Sequence, residues 1–276
     1  MGTPAEENHG GKEMLLRKGA FSDVDVAIMA HPVDQDSLRI AVCAAQQVTV
    51  HFKGKGTHAA ACPWDGVNAL DAAVAAYVNV SLLRQQMKPT CRLHGIIVAA
   101  GTYPNIIPET SKLVYHIRGE TAKDLDDLVP RVEACFAAAA QASGCTMRTE
   151  KGLQYKELVH NVALTKTFRK HGRALGVKFT DDDMSFLEPC GASTDAGNVS
   201  HELPTMHPVF AIETKSKNHT LGFAESANAP EAQAPTLRVA KMLALTALDL
   251  FTNHELLSEV KREFEEWKIT QNKGER

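Results

Sequence analysis

The sequence predicts an α/β protein in which a small ferredoxin-like βαββαβ unit is inserted into a larger α/β domain. The apolar run Val24–Ala30 predicts a short buried strand, typical of a sheet that helices cover on both faces. Residues 44–158 carry strand and helix patterns in the order βαββαβ. A helical pattern returns after that unit. We therefore divide the chain into residues 1–43, 44–158 and 159–276, of which the first and third form one domain.

The composition is that of an ordinary globular protein. The chain has 276 residues, of which 44% are hydrophobic and 23% charged. A net charge of −3 gives no electrostatic argument for nucleic acid binding. No run of 18 apolar residues suggests a membrane span, and the first residues lack the basic and apolar regions of a secretory signal, so we do not expect one. The six cysteines include no CxxC pair, so we expect reduced thiols and a cytoplasmic location.

In the first segment, a short helix is predicted over Lys12–Lys18, ended by Gly19. The strand Val24–Ala30 that follows should stop at His31-Pro32, because proline cannot donate to a ladder.

The inserted unit opens with a strand at Gln46–Phe52 and a helix over 65–86. We expect Asp65 to cap this helix, and one face to carry its larger apolar side chains: Val67, Leu70, Val74, Tyr77 and Val78. Strands follow at Cys91–Ala99 and Leu113–Arg118.

A second long helix should run from Ala122 to Ser143 and end at Gly144, followed by a strand over Cys145–Leu158. The helix carries apolar residues on one side, and Pro130 predicts a kink or a late start. The apolar residues are Leu125, Leu128, Val132 and Phe136.

The last segment contains three predicted helices and one strand. The helices span 160–175, 231–251 and 255–268, and the strand runs over Pro208–Ile212.

The adjacent acids Glu6 and Glu7 suit hydrolytic chemistry. In an extended segment neighbouring side chains point in different directions, so one carboxylate can face a metal and the other the substrate. The metal-facing acid coordinates, while the other takes a proton from the attacking water and returns it to the leaving amine. The alternative is a pair of solvated acids in the first turn of a helix.

Two histidines are candidate metal ligands. His31 ends the first predicted strand, and sites in α/β sheets are built at the carboxyl ends of strands. His219 lies in a polar loop just after an apolar strand. The alternatives are a hydrogen-bonded histidine beside a proline turn for His31, and an ordinary exposed histidine for His219.

Three residues of the inserted unit are candidate hydrogen-bond donors to a substrate. His58 lies in the Gly-rich segment Gly54-Lys-Gly-Thr-His58, and Asn105 lies between Pro104 and Ile106 in a rigid turn. These two could stabilise a developing oxyanion, and Arg118, at a strand end, could clamp a carboxylate. The alternatives are a turn cap for Asn105 and a surface ion pair for Arg118.

Taken in order, these segments resemble the aminoacylase-type metallopeptidases, in their amidohydrolase branch. The resemblance extends to about residue 252. It rests on Gly2-Thr-Pro-Ala-Glu-Glu7, Asp25-Val-Ala-Ile-Met-Ala-His31-Pro32, Gly54-Lys-Gly-Thr-His58-Ala-Ala, Gly66-Val-Asn-Ala-Leu-Asp71, Pro104-Asn-Ile-Ile-Pro108, Ser193-Thr-Asp195 with Gly197-Asn-Val-Ser200, and His219-Thr.

The resemblance implies a metal-dependent hydrolase that cleaves the amide bond of a small-molecule dipeptide or N-acyl amino acid, here a dipeptide with a basic C-terminal residue. Glu6 matches the general base. The residues that match ligands of a centre of two divalent ions, zinc or manganese, are Glu7, His31 and His219.

Residues 44–158 match the lid and dimerisation domain, which implies a homodimer. His58 would reach the partner's active site and stabilise the oxyanion. Asn105 and Arg118 match substrate-binding positions, with Arg118 for the substrate carboxylate. The segment from Ser193 to Ser200 lines the site in relatives, and neither nucleic acid nor a membrane is an expected partner.

The chain departs from the family pattern at one point. In this branch two further ligands lie upstream of the Glu-Glu pair, in a Cys-Gly-His segment. Here the only Cys-Gly step is Cys190-Gly191, followed by Ala192. We therefore expect an N-terminally truncated chain, with a partial catalytic domain that binds metal weakly. The alternative function is a catalytically incomplete fragment or isoform that acts only as a dimerising interaction partner.

Overall fold

The computed structural model describes residues 1–181 and 191–273, and these form two compact units. The split unit combines Met1–Val42 with Leu158–Arg276, and the inserted unit is Cys43–Glu157. Both contain helices and strands, which confirms the predicted α/β class.

The strands of the described residues follow in chain order: β1 Ala27–Ile28, β2 His31–Val33, β3 Ala44–Lys53, β4 Arg92–Ala99, β5 Thr110–Gly119, β6 Thr146–Tyr155, β7 Thr205–Met206 and β8 Val209–Ala211. The α-helices are α1 Glu6–His9, α2 Gly11–Arg17, α3 Ala69–Leu83, α4 Ala122–Ser143, α5 Val162–Ala174, α6 Ala196–Ser200, α7 Leu221–Asn228, α8 Gln233–Thr252 and α9 His254–Lys273. The described part of the chain has no helix that is both long and apolar enough to cross a membrane.

The inserted unit is a four-stranded antiparallel sheet in the order β4-β5-β3-β6, with α3 and α4 between its strands along the chain. Alternate residues of β5 point to opposite faces. Leu113, Tyr115 and Ile117 are fully buried in the core. His116 and Arg118 therefore lie on the other face of the sheet, which we call the open face.

Helix α4 has the predicted bounds, because both ends carry strong signals. Thr121 and Asp124 form a capping box at its start, and Gly144 adopts a left-handed conformation at its end. The four predicted apolar side chains of this helix are buried. The expected late start at Pro130 is wrong: this proline is exposed, so water can solvate the carbonyl that it leaves unpaired.

Two predictions for α3 are wrong. The helix begins at Ala69, where Asn68 accepts hydrogen bonds from two backbone N–H groups, whereas Asp65 lies in a preceding 3-10 turn. Val74, Tyr77 and Val78 are 47%, 41% and 48% exposed instead of forming the core face. The core face consists of smaller residues that let the helix pack closely on α4 and the sheet: Ala69, Ala72, Ala73, Ala76 and Val80.

The strands of the split unit are short and parallel, β1 with β7 and β2 with β8. Pro32 does not end the strand as predicted, because it lies inside β2. His31 donates its N–H to Pro208 O, and Val33 accepts from Ile212 N, so both neighbours of Pro32 face β8. The missing N–H of Pro32 consequently falls on the side away from this partner.

Helices α6 and α7 were not expected from the sequence, because each is only a few residues long and lies in a segment rich in polar residues. The predicted short helix is present as α2, and Gly19 just beyond it has a positive φ of 73°.

Candidate metal and substrate site

Glu6 and Glu7 open the one-turn helix α1, so the expected extended conformation is wrong. Successive helical side chains still point about 100° apart, which preserves the separation of the two carboxylates. Ala5, just before them, has a φ of 62°, a conformation that is rare without glycine. Backbone strain of this kind is often found at functional sites.

Glu6 is half-buried, and its pKa is raised. Burial is the largest cause, and the nearby charges of Glu7 and Asp195 add to it, while a hydrogen bond from the Thr194 side chain opposes it. A raised pKa moves a carboxyl group towards the range in which it can both accept and return a proton.

Thr194 is well placed to donate to Glu6. The Thr194 hydroxyl oxygen accepts a hydrogen bond from Ala196 N at 3.3 Å, so its O–H can be directed to the carboxylate. The Ser193–Ser200 segment had no individual roles from sequence, and Thr194 is a residue that sequence reasoning missed.

A buried ion pair holds this segment against α2. Asp195 is fully buried, and its two oxygens lie 2.7 Å from Lys12 Nζ and 2.9 Å from the Lys12 backbone nitrogen. Asn198 Nδ2 donates to Glu13 at 3.0 Å. No spacing in the sequence indicated these contacts, which join residues more than 180 positions apart.

Glu7 and His219 come together. Glu7 Oε1 lies 3.8 Å from His219 Nδ1, and both side chains are exposed. His219 has a φ of 66°, and it and Ala5 are the two non-glycine residues of the described chain with positive φ. A carboxylate and an imidazole this close, both open to solvent, can share a cation.

His31 also has a geometry that suits a ligand. Its Nδ1 lies 2.8 Å from Pro32 O, so the proton sits on Nδ1 and leaves the Nε2 lone pair available. The His31 ring centre is 6.2 Å from that of His207.

Two buried histidines lie in the same unit and were not identified from sequence. Burial lowers the pKa of His160 to about 4 and that of His207 to about 3. Neither His207 ring nitrogen has a hydrogen-bond partner among the described residues. Both rings are therefore neutral near pH 7.

Across residues 1–181 and 191–273, no three His, Cys, Asp or Glu side chains are close enough together to hold a metal ion. The donor types of Glu7, His31 and His219, one carboxylate and two imidazoles, fit zinc or manganese. These three residues alone do not form a closed coordination shell in this geometry.

In the inserted unit, His58 and Asn105 lie on adjacent loops. His58 forms an isolated bridge with Ile106, and Ala59 N donates to the Asn105 backbone carbonyl at 3.0 Å. His58 Nδ1 accepts from the backbone N–H groups of Ala60 and Ala61, each at 3.2 Å. The ring proton of neutral His58 is therefore on Nε2, which makes this nitrogen a donor.

Arg118 lies on the open face of the sheet. Its Nε donates to His94 Nε2 at 3.3 Å, and Nη1 lies 3.9 Å from Cys43 Sγ.

From sequence, the acidic stretch 181–183 is either a subsite for a basic substrate side chain or a solvated acidic loop. Asp181 instead caps backbone groups, accepting from Leu38 N at 2.7 Å and Arg39 N at 2.9 Å. Positions 182 and 183 lie outside the described residues.

Comparison with known proteins gives concordant results. Residues 40–143 match the peptidase dimerisation domain of the M20 family. The Xaa-Arg dipeptidases of Homo sapiens and Mus musculus are 47% and 48% identical over 96% of this chain. A p-aminobenzoyl-glutamate hydrolase polypeptide of Escherichia coli is 26% identical over 98% of the chain and 67% of its own length. The chain spans 61% of the length of the two dipeptidases.

Solved structures share the fold. An aminobenzoyl-glutamate utilization protein from Klebsiella pneumoniae superposes with a TM-score of 0.62 at 21% identity, covering 75% of this chain and 55% of its own. A dinuclear metal-binding M20 peptidase from Bacillus subtilis gives a TM-score of 0.64 at 14% identity, covering 90% of this chain and 63% of its own.

Proposed function

Because this chain belongs to the M20 family of aminoacylase-type peptidases and amidohydrolases, we propose that it is a metal-dependent hydrolase of dipeptides or N-acyl amino acids. The observation that carries the proposal is the division between two adjacent acids. Glu6 is half-buried, with a raised pKa and a hydrogen bond from Thr194, whereas Glu7 is exposed beside His219.

In this proposal Glu6 is the general base. Its carboxylate takes a proton from the attacking water and then delivers it to the leaving amine nitrogen. Thr194 holds the carboxylate in place during both transfers. Glu7, His31 and His219 would contribute ligands to a centre of two divalent ions, zinc or manganese. When bound, such ions make the attacking water more acidic.

The inserted unit supplies hydrogen-bond donors. His58 presents Nε2–H, which suits a developing oxyanion, and in a homodimer it would serve the partner's site. Asn105 would contact the substrate near the same loop. Arg118 would bind the substrate carboxylate, since a guanidinium can hold a carboxylate with two parallel hydrogen bonds.

Dimerisation is proposed through the inserted unit, residues 44–158. Apolar side chains on α3 and β4 are exposed, as expected of a surface that another chain covers. They are Val74, Tyr77, Val78 and Leu82 on α3, and Ile96, Ile97 and Val98 on β4.

For substrate, we propose a dipeptide with a basic C-terminal residue, supported by the identity to the Xaa-Arg dipeptidases. A cytoplasmic location is part of the same proposal.

The test is hydrolysis of β-alanyl-lysine by the purified chain loaded with Zn²⁺ or Mn²⁺, with N-acetyl-lysine amide as a non-cognate control. Release of lysine that stops on chelation and returns with metal supports the proposal. No lysine release at any metal loading contradicts it.

A second candidate function is that of a dimerising partner without catalysis. Two observations favour it: no three-ligand group forms among the described residues, and apolar residues on α3 and β4 are exposed. Elemental analysis distinguishes the two functions. Two tightly held ions per chain favour the enzyme, and a metal-free dimer favours the partner.

A further inference from the structure

His94 and Arg118 form a pair on the open face of the inserted unit. Arg118 Nε donates to His94 Nε2 at 3.3 Å. A nitrogen that accepts a hydrogen bond carries no proton, so the neutral ring has its proton on Nδ1. We propose that His94 is a positioning residue that holds Arg118 for binding of the substrate carboxylate. This inference rests on the proposed function.

The strand pairing fixes His94 in place. His94 lies directly opposite His116, two residues before Arg118, so it meets Arg118 on the diagonal. Its neighbour Gly95 lies against the Tyr115 ring, where an added Cβ would come within 2.6 Å of ring carbons. A side chain at position 95 would collide with this ring, so glycine is what permits the direct pairing of β4 with β5 at this point.

The His116 ring limits the freedom of the His94 ring. The two rings are stacked, with centres 5.6 Å apart and planes 7° from parallel. The His116 ring packs against one face of the His94 ring, and Arg118 binds its Nε2 edge. Together these contacts define the position and the tilt of the His94 ring.

The charges near His94 favour its neutral form. Partial burial, then Arg118, then His116 lower the pKa of His94. Arg92, directly opposite Arg118, turns its guanidinium to the carbonyls of Pro89 and Cys91. From β3, the residues opposite His116 and Arg118 are the uncharged Gln47 and Ala45. His94 is therefore the acceptor that fixes the Nε edge of Arg118.

The consequence is a specificity for carboxylates. With Nε held by His94, the plane of the Arg118 guanidinium is fixed, so a carboxylate meets its donors in one orientation. An amide in place of the carboxylate is neutral and has one oxygen, so the Arg118 guanidinium binds it less well than it binds a carboxylate.

The first part of the test does not depend on the protein having hydrolase activity. Long-range ¹⁵N–¹H NMR of the full chain reports the tautomer of His94. We expect the proton on Nδ1; a proton on Nε2 would overturn the inference.

The second arm measures binding of L-lysine and of L-lysinamide, which lacks the carboxylate, by NMR titration. His94→Leu should weaken lysine binding about tenfold, the equivalent of about 1.4 kcal/mol, and leave lysinamide binding unchanged. His94→Gln, which keeps an acceptor near the Nε2 position, should bind lysine within about twofold of wild type. His51→Leu removes another histidine of the same sheet and should change neither ligand.

The inference would be overturned if His94→Leu weakened the binding of both ligands equally or of neither. It would also be overturned if the wild type bound lysine no more tightly than lysinamide. A wild-type chain that shows the lysine preference but cleaves no dipeptide would refute the proposed hydrolase and leave the role of His94 standing.

Discussion

Lys12 and Asp195 form a buried ion pair in which both carboxylate oxygens are engaged, one by Lys12 Nζ at 2.7 Å and one by its backbone N–H at 2.9 Å. Asp195 is completely inaccessible to solvent. Its neighbour Thr194 donates to Glu6. The pair thus anchors the group that holds the proposed general base.

Lys12→Met should destabilise the protein by about 3–5 kcal/mol, because it leaves the Asp195 charge buried without its partner. Urea unfolding followed by circular dichroism measures the change. Lys261→Met is the matched control, since it breaks an exposed pair with Asp25 and should cost less than about 1 kcal/mol. Equal effects of the two substitutions would contradict the anchoring role.

Thr194→Val should raise the pKa of Glu6 further, because the Thr194 hydrogen bond stabilises the carboxylate. If the protein hydrolyses dipeptides, the acid limb of its pH–rate profile moves to higher pH and kcat falls. Thr194→Ser keeps the hydroxyl and should restore the wild-type profile. An unchanged profile in Thr194→Val would show that this hydroxyl does not act on Glu6.

Stability should decrease as the pH falls from about 6.5 to 4, because of His160. Burial lowers its pKa to about 4, so between these values the unfolded chain binds a proton that the folded chain does not. The loss is on the order of 3 kcal/mol. His207, with a pKa of about 3, adds to it over the same range.

His160→Gln should flatten this part of the pH–stability curve, measured by urea unfolding at several pH values. His254→Gln, at an exposed position at the start of α9, should leave the curve unchanged. Parallel curves for wild type and His160→Gln would mean that His160 does not remain neutral in the fold.

Val78→Asp on α3 should convert a dimer into a monomer, because it puts a charge into the exposed apolar surface. Light scattering coupled to size exclusion gives the mass. Leu237→Asp on α8, where the leucine is 60% exposed, is the control and should leave the mass unchanged. A dimer that survives Val78→Asp would exclude this face of α3 from the interface.

The sequence predicted the features that depend on local signals. Thr121, Gly144 and the apolar spacing of α4 determine that helix on their own. The orientation of α3 was missed because alanine and larger apolar residues alternate around it, and tertiary packing selects the alanines for the core.

The candidate site could be predicted only in part, because tertiary packing, and not only local sequence signals, determines its contacts. Candidate residues such as Glu6 and His219 were recognisable from residue type and motif. The contacts of Lys12 with Asp195, and the burial of His207, arise from segments distant in sequence, so no local pattern reports them.

The central claim is that Glu6 and Glu7 have different roles, and one experiment on three proteins tests it most directly. Metal content by elemental analysis and the rate of β-alanyl-lysine hydrolysis are measured for wild type, Glu6→Gln and Glu7→Gln. We predict that Glu6→Gln keeps the metal content of the wild type and loses at least about 100-fold in kcat. Glu7→Gln should lose metal and activity together. Loss of metal in Glu6→Gln, or full activity in either variant, would contradict the account.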